Sequence, residues 1–258
     1  MIPAPVRAVN SVGRWLRRPR PVANPRLRLV CLPHAGGTAG AFYGWAAALP
    51  ADVELVAVQY PGRQDRFAEP CLRDMDELAD AVAQALLPLL DRPVALFGHS
   101  MGAALAYEVT LRLEARFRAR PRQLFVSGHM SPTRPRDRRR DLHLRDDAAM
   151  VAGLTELGGM DEAVTADPEL LALLMPSFRA DLRLIETYRP GAARPVTVPV
   201  TAYTGDADPG VPLPDVAAWA ELAAGEFAMR VFPGGHFYLV DRETEVVADI
   251  SERLALVR

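Results

Sequence analysis

The stretch that decides the fold is Val94-Ala95-Leu96-Phe97-Gly98-His99-Ser100-Met101-Gly102-Ala103. Four apolar residues run into a G-x-S-x-G pentapeptide, and small and apolar residues continue from Met101. An apolar run this short, bounded by glycine, reads as a buried strand, and residues 101–116 read as a helix. Gly98 and Gly102 let the chain turn sharply between the two and keep the hydroxyl of Ser100 clear of its neighbours. Ser100 is therefore a candidate nucleophile, and the N–H of Met101, at the start of the helix, is a candidate donor to a developing oxyanion.

Outward from this turn the chain alternates. Short apolar runs at 27–32, 53–58, 94–97, 123–127, 198–203 and 229–232 read as buried strands. Residues 74–90 carry a helical stripe of Met75, Leu78, Val82, Leu86 and Leu89, and residues 246–256 form a closing helix. Strand–helix alternation predicts an α/β class with a mostly parallel sheet covered on both faces. Residues 133–190 break the rhythm. They open on Arg134-Pro135-Arg136-Asp137-Arg138-Arg139-Arg140-Asp141 and continue as helices at 146–157, 168–174 and 176–188. Such an insertion, just before the strand at 198–203, is expected to roof the site as a lid. Residues 1–25, rich in Pro and Arg, are expected to lie on the surface as an arm, with the domain proper spanning 26–258.

Composition narrows the chemistry. The chain has 258 residues, half of them apolar, and a net charge of -2, so nothing in its global charge points to nucleic acid or an anionic membrane. All 30 basic residues are arginine, which excludes Schiff-base and lysine general-base catalysis. Cys31 and Cys71 are too sparse for a disulfide framework. No apolar run reaches membrane-spanning length and no signal core opens the chain, so a cytoplasmic protein with neither membrane nor nucleic-acid partners is expected.

A serine nucleophile needs a base and an orienting acid. His236 follows Pro233-Gly234-Gly235 at the end of the last strand and is the candidate base. His34, His99 and His129 are expected in supporting roles, with the His99 side chain pointing away from Ser100, and His143 is expected in solvent. No two histidines show metal-ligand spacing, so no metal is expected. The acid is Asp206 or Asp208, both just past the strand at 198–203. Asp208 is preferred because it sits further round the turn, with Pro209 fixing the backbone behind it, which leaves Asp206 as a turn residue. The order Ser, Asp, His is the one used on α/β-hydrolase sheets. Leu32-Pro33-His34-Ala35-Gly36-Gly37 occupies the place of the loop that supplies a second oxyanion amide, and Ala35 N–H is the candidate.

Taken together, Cys31-Leu32-Pro33-His34-Ala35-Gly36-Gly37, Gln59-Tyr60-Pro61-Gly62-Arg63, Gly98-His99-Ser100-Met101-Gly102 and Pro233-Gly234-Gly235-His236-Phe237 resemble the type II thioesterases. These are stand-alone editing enzymes of polyketide and nonribosomal peptide assembly lines. The resemblance runs from about residue 25 to the C-terminus. It implies an α/β-hydrolase fold with a mobile helical lid, Ser100 as nucleophile, Asp208 as acid, His236 as base, and Met101 and Ala35 as oxyanion donors. It also implies hydrolysis of aberrant or stalled acyl groups from the phosphopantetheine arm of an acyl or peptidyl carrier protein, with no cofactor of the enzyme's own. The arginines at 134–140 are then candidates for meeting an acidic carrier. A carboxylesterase acting on small free esters would use the same triad.

Overall fold

The computed structural model describes residues 13–134, 141–160 and 162–256. Seven strands form its sheet: β1 Leu16–Arg17, β2 Leu27–Leu32, β3 Val53–Val58, β4 Val94–His99, β5 Leu124–Ser127, β6 Val200–Gly205 and β7 Phe227–Phe232. They lie in the order β1-β3-β2-β4-β5-β6-β7. β1 pairs antiparallel to β3, and every other pairing is parallel. Every residue of β2 to β6 is buried, as largely apolar runs require of a sheet covered on both faces.

The helices that matter for the site are α1 Met75–Leu86, α2 Met101–Phe117, α3 Asp147–Glu156, α4 Pro168–Thr187 and α5 Glu243–Leu256. Alternate residues of β2 feed two separate cores. Val30 and Leu32 pack with Leu78, Val82 and Leu86 of α1 and with Ala104 and Leu105 of α2. Leu29 and Cys31 pack on the other face with Phe42, Trp45 and with Val246, Val247 and Ile250 of α5. This is the α/β-hydrolase architecture expected from the sequence. Cys31 is buried and Cys71 half-buried, and both are free thiols.

Several boundaries differ from the sequence reading, each for a local reason. Asp74 caps α1 by accepting from the N–H groups of Asp76 and Glu77. The helix stops at Leu86 rather than 90 because Pro88 has no N–H to continue it, and Leu87–Leu89 tightens into a 3-10 turn. Pro199 likewise has no N–H for the ladder, so β6 begins at Val200 and not at 198. The lid segments expected at 168–174 and 176–188 are one helix. Pro176 lies inside α4, but Met175, Phe178 and Leu182 on either side join Leu142, Met150 and Leu154 in a common apolar cluster that carries the helix across the break.

From residue 13 onward the N-terminal arm is part of the fold, mostly exposed but anchored to the sheet. Leu16 is buried and β1 edges the sheet. Trp15 O accepts from Gln59 N–H at 2.7 Å, and the Trp15 ring lies under the Arg66 guanidinium at 4.1 Å. The reason is a carboxylate inside the sheet: Glu54, fully buried, is satisfied by Arg18, Arg28 and the N–H of Val22. Residues 1–12, and Arg136, Arg138, Arg139 and Arg140 of the basic run, fall outside the described residues. Arg134 pairs with Glu221 at 2.5 Å.

Candidate active site

Ser100 sits between β4 and α2 at φ 55° and ψ −118°, a backbone conformation that costs a non-glycine residue energy. Close packing imposes it. A Cβ on Gly98 would overlap the carbonyl of Gly102, and a Cβ on Gly102 would overlap the carbonyl of Leu32 in β2. The elbow is thus folded on itself and pressed against the neighbouring strand. Ser100 N–H donates to Ser127 O at 2.7 Å, and the Ser100 side chain makes no capping bond to α2. Its hydroxyl instead meets His236 Nε2 at 2.9 Å.

On the far side of that ring, Nδ1 lies 2.7 Å from Asp208 Oδ2. The Asp208 side chain has no solvent exposure, and its other oxygen accepts from Gly210 N–H at 2.8 Å. Asp206, the competing acid, points elsewhere and accepts from Gly234 N–H at 2.9 Å. The loops carrying acid and base are in backbone contact, since a Cβ on Gly205 would overlap the carbonyls of Gly234 and Gly235. The structure therefore brings Ser100, His236 and Asp208 into one relay and leaves Asp206 as a backbone clamp.

The other histidines surround this relay. His99 is fully buried with Nδ1 2.9 Å from Ser127 Oγ, which in turn lies 2.7 Å from Tyr238 Oη. Its ring centroid is 5.1 Å from that of His236. Burial, reinforced by His236, His34 and His129, pushes His99 well below the ordinary histidine range. His34 packs edge-on against Phe237 at 4.8 Å, and burial, then His236 and Arg63, push it down to about 4. Both rings are thus held neutral, which keeps further positive charge away from the His236 ring. His129 lines the cavity with Nδ1 2.7 Å from Met130 O. His143, expected in solvent, is largely buried. Its Nδ1 lies 2.6 Å from Glu186 Oε2 of α4, whose two oxygens also accept from the N–H groups of Leu142 and His143.

The Gln59-to-Arg63 block buttresses the loop that carries Ala35. Tyr60 Oη donates to Pro33 O at 3.0 Å, and Gln59 Oε1 accepts from Ala39 N–H at 3.1 Å. Arg63 Nη1 reaches Gly37 O at 3.1 Å. Arg63 also makes a two-pronged ion pair with Asp181 of α4, at 2.6 and 2.9 Å. Burial alone would lower the Arg63 pKa, but the carboxylate more than offsets it and the value is raised. Sequence reasoning passed over Asp181. The available signal was a carboxylate on an apolar helical stripe, in register with Phe178, Leu182 and Ile185.

Ser100, His236 and Ala35 open on a cavity of about 260 Å³. Met130, Leu154, Leu157, Leu182, Val211 and Phe237 give it an apolar wall, much of it contributed by the inserted helices. Met101 follows Ser100 directly as the first residue of α2. Among the described residues, no group of three or more His, Cys, Asp or Glu side chains is arranged to hold a metal ion, and no helix is long and apolar enough to cross a membrane.

Known proteins resemble the chain over nearly its whole length. A thioesterase domain model matches residues 27–254. Thioesterase PikA5 of Streptomyces venezuelae is 45% identical over 247 residues, which is 95% of this chain and 87% of that protein. Gramicidin S biosynthesis protein GrsT of Aneurinibacillus migulanus is 34% identical, over 96% of this chain and 97% of its own. The type II thioesterase BorB from the borrelidin biosynthetic cluster superimposes with a TM-score of 0.85 at 42% identity, covering 93% of this chain and 97% of BorB. With a matching sheet, a matching domain and relatives this similar, the chain belongs to the thioesterase family, in its type II group.

Proposed function

We propose that this enzyme hydrolyses acyl thioesters held on the phosphopantetheine arm of acyl or peptidyl carrier proteins, clearing aberrant or stalled groups from polyketide or nonribosomal peptide synthesis. The observation that carries the reading is the relay from Ser100 through His236 to Asp208, opening on a largely apolar cavity. By their names, GrsT is a gramicidin S biosynthesis protein and BorB a type II thioesterase of the borrelidin biosynthetic cluster, which supports a substrate held by a biosynthetic assembly line.

His236 Nε2 takes the hydroxyl proton as Ser100 Oγ attacks the thioester carbonyl. The N–H groups of Met101 and Ala35 receive the oxyanion, and each such donor is worth about 3 kcal/mol in the transition state. Collapse expels the thiol, which takes the proton from His236 and leaves an acyl-Ser100 ester. Water, activated by the same ring, then clears the ester. Asp208 fixes the ring tautomer and stabilises the imidazolium. No cofactor of the enzyme takes part, since the phosphopantetheine belongs to the substrate. The enzyme works in the cytoplasm, beside its carrier protein, and needs no membrane or nucleic-acid partner.

The test loads a panel of acyl groups on one carrier protein and follows free acid over time, beside p-nitrophenyl esters of the same acids. Carrier thioesters are expected to turn over with the higher kcat/KM. A strong preference for the free esters would replace this reading with a carboxylesterase.

A further inference from the structure

One carboxylate ties the inserted helix α4 to the loop that carries Ala35. Asp181 Oδ2 accepts from Gly36 N–H at 2.7 Å and from Arg63 Nη1 at 2.6 Å, while Oδ1 accepts from Arg63 Nη2 at 2.9 Å. Arg63 Nη1 also holds Gly37 O. The amide of Gly36 and the carbonyl of Gly37 are thus both fastened by a single ion pair. Each side chain of that pair is only 3% exposed. Gly36 adopts φ +76°, and a Cβ there would overlap the ring of Phe178, one helical turn before Asp181. The lid helix therefore meets this loop at backbone distance, immediately after Ala35. Nothing in the hydrolysis needs the charge of Arg63 or Asp181, yet burying both is costly unless their hydrogen bonds do something specific.

We propose that Asp181, held by Arg63, is a positioning residue for hydrolysis: it sets the Ala35–Gly37 loop so that the Ala35 amide faces the oxyanion. The inference rests on the reading of Ala35 as an oxyanion donor. It makes seating of α4 and assembly of the site one event. If the C-terminal half of α4 lifts, Gly36 loses its acceptor and Arg63 its counterion.

The decisive experiment separates positioning from stability. A buried ion pair replaced by apolar residues of similar volume often leaves stability unchanged. The double variant Arg63→Met with Asp181→Leu leaves no lone charge but frees Gly36 N–H and Gly37 O, so it is expected to stay folded and to melt several degrees below the parent. Its kcat on a small soluble acyl thioester is expected to fall about 10- to 100-fold, approaching loss of one oxyanion donor, with KM within about threefold. The inhibition constant of an alkyl boronic acid, whose tetrahedral Ser100 adduct needs the same amides, is expected to rise in parallel with the loss in kcat/KM. A double variant with parental kcat and boronate affinity overturns the proposal, as does one whose loss lies wholly in KM. Should the double variant not fold, Arg63→Gln with Asp181→Leu decides by the same two readouts, because it buries no lone charge, keeps a polar group beside Gly37 and still removes the acceptor of Gly36 N–H. A parent that cleaves the small thioester but ignores acyl carrier proteins would overturn the carrier reading and leave this one standing.

Discussion

Asp206 grips the backbone of the histidine loop and does not touch the histidine: its Oδ1 accepts from Gly234 N–H at 2.9 Å, while Asp208, two residues on, reaches His236 Nδ1 at 2.7 Å. Identical side chains in one turn hold different jobs. Asp208→Asn presents an amide to Nδ1 and favours the wrong tautomer, so kcat is expected to fall about 10⁴-fold. Asp206→Asn keeps an oxygen for Gly234 and should cost about tenfold or less. Steady-state kinetics on one thioester ranks them, and the reverse ranking would reassign the acid.

Ser100 holds a positive φ and gives α2 no side-chain cap. Removing its hydroxyl therefore loses no helix stabilisation, and glycine relieves the backbone. Ser100→Gly and Ser100→Ala are both expected to be inactive. The glycine variant should be more stable than the alanine variant by about 1–2 kcal/mol, read from urea unfolding. Equal stabilities would mean that the elbow is not strained.

Burial first, and then the charges of His236 and Arg63, push His34 down to about 4. In the unfolded chain it titrates near 6.5. The unfolded state binds the proton first, so the stability tied to neutral His34 is complete above about pH 6.5 and is lost as pH falls towards 4. The effect approaches about 3 kcal/mol. His34→Gln should flatten the decline of unfolding free energy across that window. Buried His99 keeps some slope in place. An unchanged slope would place His34 in solvent.

Leu157 of the insertion lines the chamber opposite the acid loop, near Gly210. Leu157→Ala opens room for branched or longer acyl groups. The ratio of kcat/KM for a bulky acyl over a short one should rise about tenfold, measured by competition between two loaded carriers. A constant ratio would remove Leu157 from the acyl wall.

What was legible in the sequence is what local chemistry constrains. Glycines at 98 and 102 are demanded by a backbone crossing, and buried parallel strands show as largely apolar runs. The choice between Asp206 and Asp208 was harder, because both occupy one turn and only the position of His236 separates them. The Arg63–Asp181 pair was out of reach, with partners 118 residues apart joined only by tertiary folding. β1 was missed because two residues have no periodicity. Its cause, the buried Glu54, lies in a strand whose apolar pattern hides a single carboxylate.

That short first strand has a practical consequence. The thioesterase domain match starts at residue 27, beyond β1, Arg18 and Val22. A protein trimmed to that boundary would leave the outer rim of β3 unsheathed and strip Glu54 of two of its donors. Open rims of this kind recruit one another. Shortened preparations are expected to elute as self-associated species in size-exclusion chromatography, where the full chain elutes smaller.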